Sequence, residues 1–219
     1  MAGFGVLTHQ LGLLGHLSRQ LASVTGRGVE IEACAGAGMT LHTLVGRVQN
    51  LPAVRSDVVL VMVGIDDALR LTAPRFWKRD LRTLLDVLHS DAAEDIQVFL
   101  VAIPVLKHLQ SLAPLPRFVA DWQSRLLNEA TDLVCRDRDY VTQMPFPSHE
   151  HDGALIALAG GSESYYRWST QLAPPLAAAI NHAPQYRRES TGPKELRAKR
   201  VLRRLHRTTN PNNSFQTTE

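Results

Sequence analysis

Two adjacent carboxylates stand where α/β proteins build their chemistry. The run "VVLVMV", Val58 to Val63, is followed by Gly64 and Ile65, and then by Asp66 and Asp67. Residues of both parities are apolar, which predicts a strand buried on both faces, as in a central parallel strand. In open parallel sheets, sites form outside the carboxyl ends of such strands. Asp66 and Asp67 are therefore candidate site residues, and Gly64 is the candidate turn that leads to them. Side by side on one turn, they do not flank a glycosidic bond at the roughly 5–9.5 Å separation that paired carboxylates need. Their other reading is a strand-to-helix turn whose acids cap backbone amides.

A second reactive stretch is "SHEHD", with His149, His151 and Asp152. His-x-His beside an acid suits a zinc ion or a base, but a zinc site takes three or four ligands. No further ligands stand at a recognisable spacing, so no metal and no cofactor are expected, and a surface loop is the competing reading. "GGSES" (160–164) has no strand before it and is not the Gly-x-Ser-x-Gly elbow.

The elements that must position these residues follow from periodicity. Leu11, Leu14, Leu17, Leu21 and Val24 are spaced as a helix over 8–24, with Thr8 as a candidate cap. "VEIEA" (29–33) alternates as a strand, and "CAGAGM" is a glycine-rich turn. Helices are expected from Thr40 to Asn50, over 72–90 with Pro74 near its start, near 117–135, and over 164–180, the last strained by Pro174 and Pro175. "IQVFLVAI" (96–103) is a second doubly buried strand, and 139–144 a short last one. Strands alternating with helices imply a parallel sheet covered on both faces.

The 219 residues, 44% of them hydrophobic, suffice for one sizeable core. No stretch approaches the roughly 20 apolar residues of a membrane span. No signal peptide is read, so Cys34 and Cys135 are expected to be reduced, buried thiols of a cytoplasmic protein. Charge divides the chain. Residues 185–219 hold nine Lys/Arg and three acids, against fifteen and eighteen in residues 1–184. This predicts a domain over 1–184 and a basic, partly disordered tail over 185–219. Within the tail, 193–207 has Ala198, Val201, Leu202 and Leu205 on one helical face, and basic residues elsewhere. Such a helix suits an anionic membrane surface, a nucleic acid or a partner, and equally bare solvent.

Three stretches, in this order, resemble the SGNH (GDSL-type) esterase and lipase superfamily, particularly its bacterial members: "AGAGMTLHTL", "VGIDDALRLTAPRFWKRDLRTLLDVL" and "SYYRWSTQLAPPL". The resemblance spans roughly residues 4–181. It implies a three-layer α/β/α fold with a flavodoxin-like parallel sheet, and ester hydrolysis by a serine, a His base and an orienting Asp. It places Gly38 at the oxyanion-hole glycine and Asp66 at an asparagine whose amide donates to the oxyanion. Asp67 falls on the aspartate of the Gly-x-Asn-Asp motif. Asp152 is the best match to the catalytic aspartate, which puts Leu155 at the position of the His. The chain starts after the point where the Gly-Asp-Ser motif and the first strand belong. The expectation is a divergent member that binds a small ester or acyl ligand at the strand carboxyl ends without serine-ester chemistry. The alternative is an active esterase whose true start lies upstream. Oligomeric state, substrate and partner are not legible.

Overall fold

In the computed structural model, the described residues are 12–51, 56–91, 96–107, 113–147 and 162–182. Three parallel strands form one sheet in the order β1-β2-β3: β1 Val58–Val61, β2 Gln97–Val101 and β3 Val141–Met144. Helices α1 (Leu13–Thr25), α2 (Leu41–Val48), α3 (Ile65–Leu69), α4 (Pro74–Asp91), α5 (Pro114–Cys135) and α6 (Ser162–His182) complete the described elements.

Strand parity divides the core. Val98 and Leu100 of β2, with Val61 and Val141, pack against α2, α4 and α5. Phe99 and Val101, with Met144, pack against α1 and α6. Successive side chains of a strand point to opposite faces, so one doubly apolar strand serves two helical layers. This is the three-layer α/β/α arrangement expected from the sequence. Val58 aligns with Gln97, and Val98 with Val141, which sets the carboxyl ends of all three strands on one side. Among the described residues, no helix is long and apolar enough to cross a membrane.

Four expectations need correction. Residues 29–33 form no strand and no ladder with the described strands. Val29 and Ile31 bury their apolar face against the α1–α6 cluster, while Glu30 and Glu32 stay exposed, and Ser18 Oγ donates to the Val29 carbonyl at 3.3 Å. The alternation that reads as a strand is thus satisfied by packing alone. Cys34, in the same exposed segment, is not buried. Cys135 is half-buried, and burial followed by Asp132 pushes its thiol up to about 11. The run Val58–Val63, read as a central strand, stands at an edge of the described sheet, with β2 in the middle. The short helix α3 was not expected; it carries Asp66 and Asp67 on its first turn. The candidates His149, His151 and Asp152, the Leu155 position, Thr8 and the tail lie outside the described residues.

Gly64 makes the passage from β1 to α3. Its φ is 119°, in the left-handed region, and a Cβ there would lie 2.6 Å from Ile103 Cδ1 and 2.9 Å from Trp77 Cη2. Both neighbours are core side chains, 5% and 4% exposed, with little room to give. Gly64→Ala is expected to cost about 3 kcal/mol through strain and overpacking, read as a lower midpoint in chemical denaturation.

Candidate functional site

The carboxyl end of β1 delivers the site through Gly64 to the first turn of α3. Asp67 is 2% exposed. Its Oδ2 accepts from the Leu41 backbone N–H at 2.9 Å, and its Oδ1 accepts from Thr72 Oγ1 at 3.2 Å. Leu41 is the first residue of α2, so Asp67 satisfies one of the amides that a helix start leaves without an intrahelical partner. Thr40 caps the same helix from its own chain, accepting from the Thr43 N–H at 3.3 Å. Of the two acids, Asp67 is thus the backbone-capping one. Burial pushes its carboxyl above the usual range, against the opposing pull of the Leu41 and Thr72 bonds.

The same link brings the Gly38 turn to α3. Gly38 has φ 65°, and Arg70 Nη2 lies 3.8 Å from where a Cβ on Gly38 would sit. Arg70 follows α3 directly, so Gly38, Asp66, Asp67 and Arg70 belong to one local assembly. Asp66 is half-buried in that first turn. The sequence had singled out Gly38, Gly64, Asp66 and Asp67, and missed Arg70.

Two histidine pairs were also missed. His42, exposed on the first turn of α2, has Nδ1 at 3.1 Å from Asp80 Oδ2, while Arg79 also holds Asp80. A carboxylate only accepts, so this contact places the proton on Nδ1 and leaves Nε2 as the acceptor. His16 of α1 meets Ser162, the first residue of α6, with Nε2 at 3.0 Å from Oγ. It is the one serine–histidine pair formed among the described residues. On its other side, Arg19 Nη2 lies 3.0 Å from His16 Nδ1. A guanidinium only donates, so Nδ1 must accept, and the neutral ring carries its proton on Nε2 and donates to Ser162. A serine nucleophile needs the reverse, a ring nitrogen that takes its proton. The sequence signal for either pair was slight: His42 and Asp80 are 38 positions apart, His16 and Ser162 146.

A three-layer α/β/α domain with loops gathered at the carboxyl ends of a parallel sheet defines a class whose sites sit on those loops. Residues 1–160 match the model of the GDSL-like Lipase/Acylhydrolase family, and the chain belongs to that family. No curated protein and no solved structure matches the chain.

Asp67→Ala strands the Leu41 amide, whose residue is fully buried, and is expected to cost about 1–3 kcal/mol. Asp67→Asn keeps an acceptor and should cost less. Because the folded carboxyl titrates above its ordinary value, burial of the charge opposes folding once the pH rises through the folded pKa, and this penalty is absent below 3.8. The Asn variant, which has no such charge, should lose that fall in stability in denaturation curves measured across the acid range.

Burial first, and then the Arg19 charge, lower the His16 pKa. The unfolded chain therefore takes a proton there before the folded one does. The contribution of His16 to stability is complete above its ordinary value of 6.5, and it falls as the pH drops from there through the folded pKa. His16→Gln should flatten this part of the acid limb below about pH 6.5, followed by thermal melts across the acid range.

Proposed function

We propose that this GDSL-family domain keeps a ligand site at the strand carboxyl ends without running serine-ester hydrolysis, and that it holds a small ester or acyl group as a binding or scaffold domain. The observation that carries the reading is Asp66, a carboxylate on the first turn of α3, the helix that Asp67 ties to Leu41 and from whose end Arg70 reaches the Gly38 turn. The family resemblance calls for an amide donor there. An ionised carboxylate accepts hydrogen bonds and cannot donate them, and it repels a developing oxyanion. Loss of one such donor typically costs about 2.7–4 kcal/mol of transition-state stabilisation.

Two features support the same reading. Leu155 stands at the position that the family resemblance gives to the catalytic His. The Ser162–His16 pair supplies no substitute, because Arg19 sets the ring in the tautomer that donates to the hydroxyl.

The test uses the full chain and Asp66→Asn with p-nitrophenyl acetate and butyrate. Neither protein should turn over ester above the buffer rate, and neither should be labelled by a fluorophosphonate. Binding of a neutral ester, read by ligand-observed NMR, should tighten about tenfold in Asp66→Asn, where a donor replaces a repelling charge. Turnover that is lost when a fluorophosphonate occupies one serine would establish an active esterase instead.

A further inference from the structure

We propose that the rim around the carboxyl ends of the strands docks onto an anionic lipid–water interface. The argument starts from where exposed apolar side chains lie. Single ones are ordinary on a protein surface, whereas a gathered set marks a contact site. Seven of the ten exposed large apolar side chains among the described residues lie on segments that leave the carboxyl end of the sheet. Leu69 and Leu71 end and follow α3, Phe76 is in the first turn of α4, and Val105 follows β2. The remaining three are Leu115, Phe118 and Trp122 in the opening turns of α5, 73%, 69% and 56% exposed.

Those three stand at i, i+3 and i+7, on one face of α5, opposite the face that carries Ala120, Leu127 and Val134 into the core. The segments are tied into one surface. Gln123 Nε2 donates to the Thr72 carbonyl at 2.6 Å, joining α5 to the loop of Leu71. Asp121 Oδ1 accepts from the N–H groups of Leu106 and Lys107, joining α5 to the loop of Val105. Leu115 and Phe118 precede both ties on the helix and extend past them. Leu71 has φ 56°, a conformation that leucine adopts at a cost and that glycine would take freely, yet a large apolar side chain is displayed there.

Charge selects the occupant. The same segments carry seven cations, among them Arg70, Arg75, Arg79, Lys107 and Arg117, none of them buried. Of their four acids, Asp67, Asp80 and Asp121 are buried, which leaves Asp66. Two copies placed face to face would set cation against cation. Nucleic acid would stack on aromatic rings, which three of the seven side chains offer, but the other four, Leu69, Leu71, Val105 and Leu115, are aliphatic and suit a lipid instead. Apolar side chains that include Trp and Phe, fringed by Arg and Lys, match the headgroup boundary of an anionic membrane. The inference is independent of whether the site turns over esters.

The chain carries its own probe. Of its three tryptophans, Trp77 and Trp168 are buried at 4% and 3% exposure, and Trp122 is in the patch. With vesicles rich in phosphatidylglycerol, the tryptophan emission of the full chain should shift to the blue and become protected from acrylamide. Both effects should weaken with added salt and be absent with pure phosphatidylcholine. The double variant Leu115→Ser, Phe118→Ser should partition onto the anionic vesicles about tenfold less or weaker still, with an unchanged thermal midpoint because both side chains are exposed. Absence of vesicle binding would overturn the proposal. So would binding without the emission change, which would place the contact elsewhere, for instance on residues 185–219, where there is no tryptophan. Equal protection by soluble polyglutamate would assign the surface to an acidic polypeptide rather than a lipid.

Discussion

The contact between the Asp67 carboxylate and the Leu41 amide holds the candidate site together. It joins the turn after β1 to the start of α2, and so brings the segment that follows Gly38 to α3 although Leu41 and Asp67 are 26 positions apart in sequence. A buried carboxylate is costly to desolvate, and the raised Asp67 pKa shows that burial outweighs its hydrogen bonds. What favours the arrangement is the amide on the other side. Leu41 is fully buried, and its N–H at a helix start would otherwise have no partner. The same solution recurs at the next strand. Asp121 accepts from the amides of Leu106 and Lys107, while Asn128 accepts from the Ile103 N–H and donates to its carbonyl. The loop after β2 is thus held by polar side chains of α5.

The chemistry of the two histidines shows why proximity alone does not make a catalytic centre. The partner on Nδ1 decides the tautomer, and the tautomer decides what Nε2 does. Asp80 gives His42 an accepting Nε2, but among the described residues no serine meets it. Arg19 gives His16 a donating Nε2, and there a serine is in place. The pieces of an acid–base–nucleophile relay are present in the fold on different elements and with opposite polarity.

Legibility in the sequence followed burial. Val58–Val63 and 96–103 read as strands because both of their faces are apolar, although only β2 is central and β1 stands at an edge of the described sheet, and the helices at 72–90 and 164–180 read clearly because one face is apolar. The signal at 29–33 misled because alternation reports which side chains are buried and says nothing of whether the backbone has a partner. Helix α3 was missed because five residues are too few to show a period. Gly64, Asp66 and Asp67 were legible from their place after a doubly apolar strand. Arg70, the two histidine pairs and the apolar face of α5 were not, since they depend on distant contacts or on the outer side of a helix whose inner side explained the pattern.

Leu71 connects the site to the surface. The Thr72 N–H donates to the Asp67 carbonyl at 2.9 Å, and Thr72 Oγ1 donates to the Asp67 carboxylate, so residues 71 and 72 fold back over the end of α3. That reversal forces residue 71 into the left-handed region, where a leucine costs about 1 kcal/mol that a glycine would not. The side chain gains no burial in return, since it is left 53% exposed. Stability of the folded chain therefore does not account for leucine at this position, whereas the proposed lipid contact would. The constraint that builds the candidate site also presents an apolar group next to it.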